Sequence, residues 1–557
     1  MSHFVWRRQK GDFAPKDVFL PLPPRRYMDT PKCLIRSPSE GPSNSDSIHK
    51  RNKAFFFFSV WRVPFMSTVM QVVEAEDVKP SQNSEAPKDF KYYSNLTGYC
   101  VAINYVIGVG ILEISYAFMR AGLVLSTLMM FVSTAILIVS ALFLVESQAR
   151  VQALCRRRNV NEYMSDDDPN LFLLSNKKYE INEMLDVAVG KWASNAYSTI
   201  ISLFMYTALL SYSTVVASSL VTLVPFPGIT TEIYCNVYAS QIEPSCLLSY
   251  NLYLVIFFLL VLPIAFLEIS EQKILQIALT IFRFVTIFII VITTLIALFA
   301  MPYGSLFIDS KPYSSFTDSF VPSGIPIIYA TIVFAQLCHH SVPGVIQPIK
   351  NKHRIRWVFP FALFTTFLMY ALVGLITSAY FGTNAFPMIN LNWITYTGAG
   401  FNGQNIPVYA RIISAVVVLF PIIDIVSAYP LNSVTLSSNL YSALPASVRM
   451  RDSKLIKIAL RLVASIPPII LSSFIRDLGV IVQISSVFGF FITFFAPAIL
   501  QLATKKKCLK EFGRHSTIYS FKFLDYDFIS YIILALGIIS PIVQVIVIIL
   551  ERLGILK

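Results

Sequence analysis

Charge is what this 557-residue chain has least of: 14% of its residues are Asp, Glu, Lys or Arg, against 55% that are hydrophobic. Soluble domains carry about a quarter charged residues, so a water-facing surface of ordinary extent is excluded. Acidic residues are the scarcer sign, 32 against 45 basic ones. The basic excess lies in short loops between apolar runs, where it orients helices, so nucleic acid is not an expected partner. The seven cysteines form no CxxC pair and no metal-like spacing with histidine. Neither a zinc site nor a redox centre is expected, and no other metal or cofactor is indicated. Walker loop, GxSxG elbow and HExxH motif are all lacking, so the chain is read as neither an enzyme nor an ATP-driven pump, with no catalytic residues. The opening MSHFVWRRQKGDF has no apolar h-region, so the first spanning helix is expected to act as the insertion signal.

What the chain has in quantity is apolar runs of about 20 residues, the length a bilayer core of ~30 Å demands. They fall near 98–121, 122–147, 194–224, 249–268, 275–301, 324–346, 357–381, 407–431, 455–475, 478–502 and 527–550. The expected fold class is therefore an all-α polytopic membrane protein with 11 transmembrane helices. Residues 1–90, with PLPPRR at 21–26 and PSEGPSNSDS at 38–47, read as a disordered cytoplasmic tail, and AFFFFSVWRVPFM at 54–66 as an interfacial segment within it. Arg156–Arg158, Lys350, Lys352, Arg354, Arg356, Arg449, Arg451 and Lys505–Lys507 follow spans 2, 6, 8 and 10, whereas Lys311 is the one clear basic residue after spans 3, 5 and 7. This alternation places the amino terminus in the cytoplasm and the carboxyl terminus on the other side. Cys235 and Cys246 share the loop between spans 3 and 4 on the non-cytoplasmic side, where a disulfide and two free thiols are both open.

Eleven spans divide as five, five and one: 91–302, 324–502, and 503–557 with a cytoplasmic loop and the last helix. An odd number per half inverts the second half relative to the first, making span 6 the counterpart of span 1. Span 1 reads GYCVAINYVIGVGILEISYAFMRAG, with Gly108 and Gly110 at its centre and Glu113 one turn later. Glycine weakens a helix and a mid-membrane carboxylate is costly, so this pattern suits a broken helix lining a polar site. Span 6 is interrupted in turn by His339, His340, Pro343 and Gly344. Packing of small residues is the alternative reason for the two glycines.

GVGILEISYAFMRAG resembles the first-helix signature of the amino acid/auxin permease family, matching it at Gly108, Gly110, Ile111, Leu112, Ala117, Phe118, Ala121 and Gly122. CHHSVPGVIQPI in span 6 and AYPLNSVTLSSNL at 428–440 are similar to two further segments of that family. The paired histidines and PLNSVTL look closest to its transmembrane protein 104-like branch. The resemblance covers roughly 90–550 and implies a LeuT-type fold with two inverted five-helix repeats plus one extra helix. It also implies secondary transport of amino acids by alternating access. Glu113 and Ser115 depart from the family pattern, the latter where proline is frequent.

On this reading the backbone of Gly108, Val109, Gly110 and Ile111 would hold a substrate carboxylate. Cys338, His339 and Ser341 are the candidates for its amino group. Arg283, in the middle of span 5, requires a counter-charge unless it snorkels to the interface, and Glu113 or Asp424 of span 8 can supply it. Arg283 resembles the fixed basic residue that replaces sodium in some proton-coupled members of the wider superfamily. Glu113, Arg283 and Asp424 are accordingly the ion-coupling candidates, with Glu113 or a span-6 histidine as proton carrier. Of adjacent His339 and His340, about 100° apart on a helix, at most one faces a cavity. Glu146 and Glu268, at helix ends, read as solvated. The expected partners are a small-molecule substrate and membrane lipid. The alternative function is an amino-acid sensor whose tail recruits a cytosolic partner; a channel lacks a charge ring or carbonyl filter.

Overall fold

The computed structural model describes most of residues 92–555. Outside the described residues lie 1–91, 159–167, 230–234, 239–241, 267–272, 300–305, 308–317, 399–405, 445–453, 556–557 and a few single positions. The tail, its segment at 54–66, Glu268, Lys311, Arg449 and Arg451 therefore have no structural account.

The described residues are helical throughout, apart from turns and one isolated bridge between Phe307 and Tyr396. Ser94 caps α1 (Asn95–Val106), its hydroxyl accepting from the Thr97 amide at 3.2 Å. The chain breaks at Ile107–Val109 and resumes as α2 (Gly110–Ala121), bent 60° from α1. Gly122, at φ 90°, turns it at once into α3 (Leu123–Arg158). Only glycine serves at that position, because a Cβ would stand 2.4 Å from Asp318 O as well as being strained. There follow α4 (Ile181–Ala188), α5 (Lys191–Leu223), α6 (Pro244–Ala265) and α7 (Lys273–Phe299). The sixth span is α8 (Ile325–Ala335), a break, a 3-10 turn at His339–Ser341 and α9 (Val342–Ile346). Then come α10 (Val358–Phe381), α11 (Val408–Ala443), α12 (Lys454–Ser472), α13 (Leu478–Phe490), a π turn at Phe491–Phe495, α14 (Ala496–Phe512) and α15 (Asp527–Arg552).

Ten of these segments are long and apolar enough to cross a bilayer, and the bent pair α1–α2 makes eleven. Their packing repeats after five spans. α10, the seventh span, packs on both halves of the first; α3, the second, packs on both halves of the sixth. The third span packs on the fourth, ninth and tenth (α6, α12, α13), and the eighth packs on the ninth, fourth and fifth (α12, α6, α7). Second meets tenth as seventh meets fifth, and third meets eighth. Exchanging each span for the one five later maps these pairs onto one another, which is the signature of two five-helix repeats related by a two-fold axis. Spans alternate in direction, so the two repeats are inverted. α15 stands outside the repeat, with Gly537 fitted so closely to Phe495 that a Cβ would lie 2.6 Å from its amide nitrogen.

Several helices run past the expected ends. α3 has 36 residues, about 54 Å at 1.5 Å each, and continues through Arg156 and Arg157 on the side that carries the basic loops. α14 likewise continues through Lys505–Lys507 to Phe512. Glu146 is not solvated: it is fully buried, 2.8 Å from Arg150 Nη2. Gln501 joins the two, accepting from Arg150 Nη1 at 2.7 Å and donating to Glu146 at 2.8 Å. Hydropathy falls across the polar stretch Glu146–Gln152, yet the helix runs on because α14 and the following loop cover it.

On the opposite side, Cys235 and Cys246 are disulfide bonded, with Cα atoms 5.5 Å apart. A 3-10 turn at Ile389–Thr395 lies over the ends of α2, α5 and α11, held by Trp393 Nε1 donating to Thr293 (3.2 Å) and Asn390 donating to Ser219 (3.3 Å). Phe307, Tyr380, Phe381, Trp393 and Tyr396 stack around it, Phe307 within 5.0–5.7 Å of the other four rings.

Candidate functional site

A helix end leaves its last four carbonyls without intrahelical partners, and inside a membrane water cannot supply them. The end of α1 meets this requirement with named donors. Ile107 N caps Ile103 O at 2.8 Å; Arg283 Nη1 donates to Asn104 O and Oδ1, both at 3.3 Å; the Tyr370 hydroxyl of α10 donates to Val106 O at 3.0 Å. The same hydroxyl lies 3.2 Å from Ala335 O, at the end of α8. One buried tyrosine thus touches the breaks of both interrupted spans.

The two breaks also touch directly, and here the glycines separate into two roles. A Cβ on Gly110 would come 2.6 Å from Ala335 Cα, so this residue is glycine because α2 and α8 cross at backbone distance. A Cβ on Gly108 would meet nothing within 4 Å. Gly108 and Asn104 are partly exposed, so open space adjoins the first break. Val109 and Ile111 are buried beside it.

Arg283 is 7% exposed and is paired with Asp424 of α11, also 7% exposed. Asn432 Nδ2 donates to Tyr212 at 3.3 Å, and the Tyr212 phenol lies in the field of the same ion pair. Snorkelling is thereby replaced by an internal salt bridge. Glu113 takes no part in it. Its carboxylate is fully buried on α2, and neither oxygen is hydrogen-bonded. The Thr331 hydroxyl, which faces it from α8, donates to Ile327 O at 2.9 Å instead. Asp477, the N-cap of α13, lies across Gly479 from it. A Cβ on Gly479 would sit 3.2 Å from Glu113 Oε1 and 3.3 Å from Asp477 Oδ1. The expected grouping of Glu113, Arg283 and Asp424 is therefore two features, an ion pair below the break and a lone carboxylate above it.

In the sixth span, His339 Nε2 lies 3.1 Å from Leu137 O of α3, and its ring is fully buried. His340 packs toward Phe204 of α5, ring centroids 6.3 Å apart. Ser341 Oγ donates to Cys338 O at 2.7 Å and Cys338 is fully buried. Gln336, which sequence reasoning passed over, opens this break and accepts from Thr134 at 2.9 Å. Tyr370 and Asn104 were passed over too. No local pattern marks them, although a tyrosine in an apolar span generally has a hydrogen-bond partner for its hydroxyl. Ser115, where the family pattern often has proline, is bonded to Thr377 of α10 at 2.7 Å, a contact proline cannot make.

Inverted five-helix repeats, two facing breaks and a buried ion pair beside them define a polytopic helical membrane transporter. The chain belongs to the transmembrane amino acid transporter family, whose model matches residues 91–547. It is 26% identical over 354 residues to a transmembrane protein 104 homolog of Caenorhabditis elegans, spanning 62% of this chain and 68% of that protein. With human transmembrane protein 104 it shares 23% identity over 469 residues, 76% of this chain and 89% of the relative. Among solved structures, a mutant of the Eremococcus coleocola manganese transporter superposes with a TM-score of 0.48 at 12% identity, covering 86% of this chain and 92% of the other.

Proposed function

We propose that the protein is a secondary active transporter moving an amino acid or related small solute by alternating access, coupled to protons in preference to sodium. The observation that carries the reading is the pair of facing breaks with open space beside Gly108. Gly108, partly exposed at the break, opens onto the start of α2, where the helix dipole favours an anion such as a carboxylate. The Ile389–Thr395 turn packs on α2, which suits a site covered on the side opposite the basic loops.

Arg283 already supplies a fixed cation between α1 and α11, which leaves Glu113 as the buried group able to gain and lose a proton. The basic loops put the amino terminus in the cytoplasm. Uptake of radiolabelled amino acids into proteoliposomes, with and without an imposed pH gradient, tests the reading. Flux that follows the pH gradient and ignores sodium is expected. Binding without flux, or flux that demands sodium, overturns it. Glu113→Gln should abolish the pH dependence and leave exchange; unchanged pH dependence removes Glu113 from coupling.

A further inference from the structure

We infer that Tyr370 determines ion specificity: its hydroxyl occupies the position between the two breaks that an alkali cation would otherwise fill, and pins the two interrupted spans to α10.

Unwound carbonyls and half-helix C-termini are the groups with which membrane transporters hold sodium. In this protein Val106 O ends α1 and Ala335 O ends α8. Both converge on one oxygen, Tyr370 Oη, at 3.0 and 3.2 Å, and the Gly108 backbone lies beside the same oxygen. Tyr370 is fully buried, so water does not compete for either carbonyl. A phenol has one proton to donate, and two acceptors share it, which leaves each carbonyl partly satisfied. Such an arrangement tolerates a neutral donor and excludes a metal ion by volume. The other set of carbonyl and carboxylate oxygens, Asn104 O, Asn104 Oδ1 and Asp424 Oδ1, is already held by Arg283. Two sets of oxygens beside the breaks are thus held by the chain's own donors, Tyr370 and Arg283.

Tyr370 belongs to a helix that packs on α1, α2 and α3, and its hydroxyl reaches the end of α8. Removing the oxygen keeps the ring in place and strips two break carbonyls of their donor. The vacated space is bounded by those two oxygens, which suits an alkali ion.

The test is a thermal melt of the full-length protein in detergent, in lithium, sodium or potassium chloride against choline chloride at equal ionic strength. The wild-type protein should melt at the same temperature in all four. Tyr370→Phe should melt a few degrees lower in choline and recover about half of that loss in one alkali salt near 100 mM, as ligand linkage requires. A cation-specific stabilisation of the wild-type protein overturns the inference, and so does a Tyr370→Phe protein that is destabilised equally in every salt. Should Tyr370→Phe not fold, the wild-type series still decides. Amino-acid flux is measured separately. A failure of flux with the predicted salt pattern sinks the transport reading alone; sodium-driven flux with a sodium-stabilised wild-type protein sinks both.

Discussion

Arg283 stands among apolar residues of α7 and is held by one carboxylate and one asparagine. Taking away a single partner of a buried pair leaves an uncompensated charge, a cost of about 3–5 kcal/mol. Arg283→Met and Asp424→Asn should therefore each lower the melting temperature sharply. The double variant should recover much of the loss, because no lone charge remains in it. A double-mutant cycle in detergent measures this; additive losses mean that the pair does not interact. Glu113 is the contrasting residue. It is buried as deeply as the pair but, among the described residues, has no cationic partner, and Gly479 lies between it and the Asp477 carboxylate. Glu113→Gln keeps the size of the side chain and removes its titratable proton, so it separates coupling from packing.

At the scale of elements, the first span is interrupted by two glycines that do different things. Gly110→Ala drives a methyl into the Ala335 backbone, and overpacking of this kind costs about 1–3 kcal/mol. It should reduce folded yield and lower the melting point. Gly108→Ala meets open space. It should fold with a melting point close to that of the wild-type protein and lose uptake by about tenfold, as loss of close backbone approach to a ligand requires. Equal destabilisation by the two substitutions would mean that Gly108 is a packing residue as well. The extensions of α3 and α14 behave as one polar-cored unit on the basic side. The Glu146–Arg150–Gln501 network lies inside it, and Ala153, Leu154, Leu171, Phe172 and Cys508 pack an apolar cluster alongside.

For the molecule as a whole, the repeated packing explains why a break in span 1 is matched by one in span 6. The two-fold relation brings equivalent positions to the same central place. The side opposite the basic loops carries the disulfide and the aromatic-packed turn at Ile389–Thr395. Closing a short loop, the Cys235–Cys246 bond constrains the unfolded chain by about 2–3 kcal/mol. Cys235→Ser with Cys246→Ser should melt several degrees lower. In sealed membrane vesicles a membrane-impermeant reductant should reach the wild-type bond only where an epitope on the amino terminus is enclosed. Reduction in vesicles that expose that epitope would reverse the orientation.

The span count, the basic side and the two interruptions were legible in the sequence because they rest on hydropathy, loop charge and glycine, all of which are local properties. Arg283 was equally plain as a charge needing a partner. Its choice of Asp424 over Glu113 was not, since both carboxylates satisfy the same local requirement. That choice depends on which faces of α2 and α11 turn toward α7, a matter of helix rotation settled by packing. Tyr370, Gln336 and the burial of Glu146 were hidden for a related reason: each residue is ordinary in its own segment and acquires its role from a carbonyl, a threonine or an arginine brought to it by folding. The sequence by itself determined that residues 92–555 hold eleven apolar spans, two of them interrupted. Only the tertiary structure decided which groups fill the interruptions, because the partners of a freed carbonyl or a buried charge come from elsewhere in the chain, 264 residues away in the case of Tyr370 and Val106.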